Sequence, residues 1–395
     1  MTFERGGDDH VDTPTATADR RRVRLLVRGI VQGVGFRPFV YGLAQRYALS
    51  GHVGNNGAGV FIEIEGASES LEAFQTALVE QAPPLARIEA VTAEPLAATG
   101  ETNFVIVESE AQSTVSALIP PDLAICEDCL RELFDPSDRR YHYPFINCTN
   151  CGPRFSIIEQ IPYDRASTTM AGFAMCPDCA AEYHDPSNRR FHAQPNACPV
   201  CGPQVWYMQA ETPQTDASPT DTRGEDAIVA AKAALASGKI VAVKGLGGFH
   251  LACDATRDEA VARLRERKGR VDKPFAIMVR DLDAARQIAF VNDEEAQLLT
   301  SRERPILLLR KRPKSVLSAL VAPGNAYVGV MLPYTPLHYL LIDDTPLVMT
   351  SGNYSDEPIV KDNDAALAAL TPPMISSTSI NAMRYRRLVM ISPLL

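Results

Sequence analysis

The chain has 395 residues, which at about 150 residues per domain is enough for two or three domains. An apolar content of 46% supports packed cores and excludes a wholly disordered chain. Lys and Arg total 39 against 48 Asp and Glu, a net charge of −9 that disfavours a general binder of nucleic acid or anionic membrane.

Residues 1–22 are polar and end in the run Arg20, Arg21, Arg22, which reads as a disordered leader. Its start, MTFERGGDDH, lacks the apolar stretch of a signal peptide. Because no apolar run approaches the ~18 residues of a membrane span, a soluble, cytoplasmic protein is expected. From Val23 the pattern alternates (Val23, Leu25, Val27), predicting a strand. GIVQGVGF follows, then a helix with Phe39, Val40, Leu43, Ala44 and Tyr47 on one face and Gly51 as its stop. A strand near 60–65, a helix near 69–81 and strands near 88–94 and 104–108 complete a βαββαβ, ferredoxin-like unit over 23–110. Between the first strand and helix, Gln32, Gly33, Val34, Gly35 and Phe36 precede Arg37. Paired glycines let backbone N–H groups converge on an anion at a helix N-terminus, and Arg37 adds a bidentate phosphate partner. The plain alternative is a tight turn with a surface arginine.

GIVQGVGFR, with Gly51-x-Val53-x-Asn55 and Gly59-x-x-Ile62 after it, resembles the acylphosphatase pattern across 23–109. The resemblance implies that Arg37 grips the phosphate and that Asn55 orients the attacking water; Asn56 is the adjacent competitor for that role. Acyl phosphates are activated anhydrides. Their hydrolysis needs positioning and charge stabilisation more than a strong base, so such a site requires no catalytic metal.

Eight of the nine cysteines form four C-x-x-C pairs: Cys126/Cys129, Cys148/Cys151, Cys176/Cys179 and Cys198/Cys201. CEDCLRELFDPSDRRYHYPFINCTNCGP at Cys126 recurs without a gap as CPDCAAEYHDPSNRRFHAQPNACPVCGP at Cys176, so 111–208 reads as a duplicated metal module. Two C-x-x-C pairs in each repeat match a four-cysteine zinc site, with an Fe–S cluster as the alternative. Four thiolates leave no open position, so two structural zinc ions are expected; pairing across repeats stays open. Seven arginines against ten acidic residues in 126–205 argue against nucleic-acid binding. His142 and His192, which also recur, read as packing or surface residues.

Residues 209–224 are polar and rich in Pro and Thr, a linker. An α/β domain is expected over 225–370, with a helix at 225–237 and strands near 240–244, 275–279, 305–310, 328–332 and 347–350. It lacks a P-loop. It carries Lys244-Gly-Leu-Gly-Gly-Phe-His250, Lys268-Gly-Arg270 with Lys273, Pro333-Tyr-Thr-Pro-Leu-His338 and Ser351-Gly-Asn353. In this order the motifs resemble the YrdC-like nucleotide-binding fold. The resemblance implies an ATP and small-acid site formed by Lys244, Lys268, Arg270, Lys273, His338, Ser351 and Asn353, with Mg2+ accompanying the ATP.

The three modules together, from about residue 23 to 370, resemble one family: HypF, the carbamoyltransferases of [NiFe]-hydrogenase maturation. The fold class is therefore multidomain α+β and α/β. The resemblance implies hydrolysis of carbamoyl phosphate, internal passage of carbamate, ATP-dependent formation of carbamoyl-adenylate, and transfer to the C-terminal cysteine of HypE. Residues 371–395 have no clear period, and the family's transfer domain is not seen after SDEPIV. Rival readings are acylphosphatase activity alone, a threonylcarbamoyl-adenylate synthase of tRNA modification, and a non-enzymatic zinc scaffold.

Overall fold

A computed structural model describes residues 20–110, 117–208, 222–353, 357–370 and 378–382. The first module runs β1 (Arg20–Ile30), α1 (Phe36–Arg46), β2 (Ser50–Asn56), β3 (Gly59–Ala67), α2 (Ser68–Glu80), β4 (Arg87–Leu96) and β5 (Phe104–Ile106). Its sheet has the order β4-β1-β3-β2-β5, with β1 antiparallel to both neighbours and β5 parallel to β2. Leu25, Val27, Ile62 and Ile64 point to the face where Val40, Leu43, Phe74 and Leu78 of the two helices pack.

The opposite face is charged. Arg22 stands across from Glu65, and Arg24 across from Glu63. Arg24 Nε donates to Glu63 at 2.8 Å, Arg22 Nε donates to the same carboxylate at 3.1 Å, and Arg20 Nε donates to Glu65 at 2.7 Å. Arg20–Arg22 are thus strand, not leader; residues 1–19 lie outside the described residues. The glutamates that pair with the arginine run are some 40 positions away, so a local pattern does not reveal them.

Gly51 also has a different role from the one expected. The helix ends at Arg46, Ala48 turns the chain at φ 52°, and Gly51 lies inside β2 at φ 130°. A Cβ there would sit 2.0 Å from the Glu63 carbonyl, so the close approach of β3 is what requires glycine.

The cysteine module has little regular structure: α3 (Glu127–Leu133) and α4 (Pro177–His184) each begin one residue after the first cysteine of a repeat. The remainder builds a second sheet from β6 (Val205–Met208), β7 (Thr222–Arg223), α5 (Gly224–Ala236), β8 (Val241–Lys244), β9 (Phe249–Asp254), α6 (Asp258–Lys268), β10 (Ala276–Met278), α7 (Leu282–Ile288), α8 (Asp293–Thr300), β11 (Leu307–Arg310), β12 (Tyr327–Met331), α9 (Pro336–Leu341), β13 (Leu347–Ser351), α10 (Asn363–Leu370) and β14 (Thr378–Ala382). The strand order is β11-β12-β10-β13-β9-β8-β14-β6-β7.

Three features of this sheet were not expected. Residues 205–208, read as the end of the cysteine module, are a strand of it. Residues 222–224 of the expected linker form β7 and the start of α5, while 209–221 lie outside the described residues. Residues 378–382 pair with both β8 and β6, although the tail carries no readable period; five residues are too few to show one.

The sheet is buried on both faces. Ala242, Leu251, Cys253, Ile277 and Val330 pack with Val261 and Leu264 of α6. Val241, Val243 and Met349 pack with Ala227 and Ala231 of α5, and in the same cluster with Ile125, Leu133, Tyr143 and Ile146 of the cysteine module. That module therefore shares a core with the sheet, which fixes its position against it. No helix among the described residues is long and apolar enough to cross a membrane.

Candidate functional site

The phosphate cradle expected in the first module is built by two left-handed glycines. Gly33 and Gly35 have φ of 71° and 73°, and Gly35 directly precedes α1. Among the described residues, no group accepts a hydrogen bond from the N–H of Gly33, Val34 or Gly35. These donors lie just before the N-terminus of α1, where an anion is favoured. Val34 and Phe36 anchor the loop in the core at 1% exposure. The Gln32 side chain is spent on structure: it donates to the carbonyls of Asn56 and Gly59 and accepts from the N–H of Tyr163.

Arg37 and Asn55 converge. Both are buried, and both donate to one carbonyl oxygen, that of Tyr163, at 3.2 and 3.3 Å. Arg37 Nη1 also meets Asp164 Oδ1 at 2.6 Å. Asn55 Oδ1 has no hydrogen-bond partner, an unsatisfied buried acceptor next to the cradle. Asn56 is accounted for otherwise, because its Oδ1 caps the turn by accepting from the N–H of Ala58 and Gly59.

A small cavity joins Gly33, Gly35, Arg37 and Asn55 to Thr149, Arg154, Tyr163 and His192 of the cysteine module. Burial and the Arg37 charge push His192 down to about 3, so its imidazole is neutral. Sequence reading missed Arg154, Tyr163, Asp164 and His192 as neighbours of this site. Only the recurrence of His192 marked any of them, and that signal pointed to the repeat.

The eight paired cysteines form two groups, Cys126, Cys129, Cys148 and Cys151, and Cys176, Cys179, Cys198 and Cys201, each within one repeat. Neighbouring sulfurs are 3.5 to 3.8 Å apart. A tetrahedron with Zn–S of about 2.3 Å has edges of about 3.8 Å, so the donor set and its spacing fit zinc.

The repeats also clamp each other. Arg139 and Arg140 of the first reach Glu182 and the Cys179 sulfur of the second, with Arg139 Nη2 at 3.0 Å from that sulfur. Arg189 and Arg190 of the second reach Glu132 of the first, and Arg189 Nη2 lies 3.2 Å from the Cys129 sulfur. Each metal group thus takes cationic donors from the other repeat, which offsets the charge of four thiolates.

In the second sheet, Lys268, Arg270, Ser351 and Asn353 come together. Lys268 Nζ donates to the carbonyls of Ser351 (2.5 Å) and Asn353 (2.8 Å) and to Asn353 Oδ1 (3.2 Å). Ser351 Oγ donates to Asn353 Oδ1 at 2.6 Å. Gly269, left-handed at φ 60°, ends α6 and turns Arg270 onto the Phe275 ring within reach of Thr350. Burial, then the charges of Arg270 and Lys273, lower Lys268 to about 8. Lys273 itself is exposed.

Lys244, lowered to about 8 by burial, donates to Asn363. His338 is not among these polar groups. It is buried against Tyr334 and His250, with both ring nitrogens unpartnered. His250 stands opposite Ser351 across the β9–β13 pair, which links the two clusters. Lys244 and Tyr334 also line an apolar cavity against Asn147, Gly152 and Pro153. Thr149 and Arg154, in the same stretch of chain, line the cradle cavity instead.

Family models agree with the three modules. An acylphosphatase model matches 23–106, a model described as the HypF finger matches 125–158 and 175–208, and one described as telomere recombination (the Sua5, YciO and YrdC group) matches 233–375. The first module is 37% identical to an acylphosphatase of Thermotoga maritima over 87 residues, 22% of this chain and 96% of that protein. Carbamoyltransferase HypF2 of Cupriavidus necator is 51% identical over 370 residues, 89% of this chain and 45% of the relative. The chain belongs to the HypF family. A crystal structure of full-length HypF in a phosphate- and nucleotide-bound form superposes with a TM-score of 0.86 at 48% identity, covering 95% of this chain and 47% of that one. The chain thus spans about half the length of the HypF relatives it matches.

Proposed function

We propose that this HypF-family chain performs the two activating steps of a carbamoyltransferase of [NiFe]-hydrogenase maturation. At the cradle, water held by Asn55 attacks the phosphorus of carbamoyl phosphate. The bond between phosphorus and the bridging oxygen breaks, carbamate leaves with that oxygen, and the water proton passes to phosphate or solvent. Arg37 and the N–H groups of Gln32, Gly33, Val34, Gly35 and Phe36 carry the charge on the phosphoryl oxygens. Carbamate then attacks the α-phosphorus of ATP, giving carbamoyl-adenylate and pyrophosphate. Lys268, Arg270 and Lys273 neutralise the triphosphate together with Mg2+. Ser351 and Asn353 bond the phosphate or the carboxylate. Lys244 borders the path of the small acid, and His338 packs against Tyr334, which lines the same cavity.

The observation that carries the reading is the meeting of the Arg37 guanidinium and the Asn55 amide beside the unspent donors of two left-handed glycines. That neighbouring residues of one stretch, Gly152 and Pro153 in one cavity and Thr149 and Arg154 in the other, line both cavities supports an internal route, and enclosure would protect carbamate from water. The carbamoyl group is destined for HypE. Eight paired cysteines that form no disulfide suit the reducing cytoplasm. Phosphate release from carbamoyl phosphate is the test: Arg37→Ala should lower kcat/KM at least a hundredfold, and an unchanged rate would remove Arg37 from the site. Supplying threonine, bicarbonate and ATP instead should give no more pyrophosphate than ATP alone.

A further inference from the structure

Tyr163 and Asp164 lie in the segment that joins the two cysteine repeats, between Pro153 and Cys176. Two anchors set the position of this segment. The Tyr163 N–H donates to the Gln32 side chain of the cradle loop. On the other side Arg165 donates to the carbonyls of Gln194 at 2.6 Å and Asn196 at 2.9 Å, both in the second repeat, and to that of Phe173 at 2.7 Å. The acylphosphatase of Thermotoga maritima matches the first module over 96% of its own length, so the segment lies outside the acylphosphatase unit.

Its contacts with the cradle decide the attitude of both functional side chains. Asn55 Nδ2 donates to the Tyr163 carbonyl at 3.3 Å. The reversed amide would set Oδ1 against that carbonyl, acceptor against acceptor, so the carbonyl fixes which end of the amide is which. Oδ1 stays an acceptor without a partner, as a residue that holds a water by its proton requires. Arg37 is gripped twice. Its Nη2 donates to the same carbonyl at 3.2 Å, and its Nη1 meets Asp164 Oδ1 at 2.6 Å. That leaves Nε and a second N–H on each terminal nitrogen for a phosphoryl group. Asp164 stands directly before the turn Arg165–Ser167, where an aspartate ordinarily accepts a capping hydrogen bond, yet its carboxylate makes none. It is turned to Arg37 instead.

We propose that Asp164 is a positioning residue for the hydrolytic step: with the Tyr163 carbonyl, it holds the Arg37 guanidinium at the angle at which its free N–H groups meet the phosphoryl oxygens in the transition state. The inference rests on the function proposed above. It adds that the hydrolytic site is completed across a module boundary, by a segment that the second cysteine repeat holds in place. Displacing a catalytic group by about 1 Å can cost about a hundredfold in rate, so a brace of this kind acts on kcat. The charge of Asp164 separates this role from others. Removing a carboxylate near a phosphate site favours anion binding on charge alone, so a slower reaction after its removal reports geometry.

The test is phosphate release from carbamoyl phosphate by the full chain, Asp164→Ala, Asp164→Asn, Arg37→Ala and the double variant Arg37→Ala/Asp164→Ala. Asp164→Ala should lower kcat about tenfold or more and change KM less than about threefold. Asp164→Asn keeps an acceptor for Nη1 and should lose less. Inorganic phosphate, titrated by calorimetry, should bind Asp164→Ala at least as tightly as wild type. In the double variant, Asp164→Ala should add less than about threefold to the loss from Arg37→Ala, because Asp164 acts through the residue already removed. Losses that multiply would overturn the proposal and leave Asp164 as a support of the fold; this comparison decides even where Asp164→Ala is partly unfolded. An unchanged kcat in Asp164→Ala would overturn it too, as would a gain in kcat/KM with tighter phosphate, which would mark Asp164 as a plug. If Arg37→Ala hydrolyses as fast as wild type, the cradle reading itself fails; if Arg37→Ala is slow and Asp164→Ala is unimpaired, the positioning role alone fails.

Discussion

Lys268 shows what burial and like charge do to a cation to which the proposed function assigns a triphosphate. Held at about 8 beside Arg270 and Lys273, it is lowered from the ordinary lysine range by exclusion of water and by its neighbours. In the folded chain this lysine therefore binds fewer protons between about pH 8 and 10.5 than it does unfolded. Its protonated form costs stability below pH 8, and the cost is relieved as pH rises through that window. A triphosphate brings negative charge and raises the same group. Nucleotide binding should consequently take up a proton above pH 8, and affinity should fall as pH rises. Calorimetry at pH 7 and pH 9, in buffers of different ionisation enthalpy, would measure both effects; a pH-independent affinity would count against Lys268 as a phosphate ligand. Glu65 presents the opposite case. Burial raises it, but hydrogen bonds from Thr99, Gly100 and Arg20 outweigh that and hold it at about 2. Its contribution is complete above pH 4.5 and is lost as pH falls towards 2. Acid melts of Glu65→Gln should therefore lose less stability than wild type between pH 5 and 3.

At the scale of elements, Gly51 and the arginine clamps explain positions whose residue types are ambiguous when read locally. Gly51→Ala would press a Cβ into the Glu63 carbonyl at a left-handed φ, and should cost about 3 kcal/mol in chemical denaturation by forcing β2 away from β3. The two four-cysteine groups are joined by reciprocal arginines, and the first supplies Cys129, Cys148 and Cys151 to the core shared with the second sheet. Removing zinc should therefore lower the melting temperature of the sheet as well as that of the fingers. A chelator titration followed by near-ultraviolet dichroism of Trp206, which lies in β6, would report this. Glu182→Gln frees Arg139 and Arg140, so it should speed zinc loss from both groups; loss from one group alone would show that the clamp does not couple them.

Across the whole molecule, one stretch of the cysteine module lines two cavities, Asn147, Gly152 and Pro153 the apolar one and Thr149 and Arg154 that of the cradle. If carbamate passes between them, Leu246→Trp, which narrows the apolar cavity, should leave phosphate release running while pyrophosphate release falls more than tenfold. An equal effect on both products would argue against an internal route.

The sequence by itself determined the ferredoxin-like unit, the duplicated four-cysteine module, the glycine pair before Arg37 and the grouping of Lys268, Arg270, Ser351 and Asn353. Each of these rests on local spacing: an alternation, a repeat, a glycine pair, or motifs that recur together in a known family. The tertiary structure alone decided that metal ligands pair within repeats, that Arg20–Arg22 are strand, that 205–208 and 378–382 join the second sheet, and that Tyr163 and Asp164 close over the cradle. Those facts depend on contacts between residues far apart in the chain. Tyr163 lies 126 positions from Arg37, and nothing in the residues around either one encodes the other.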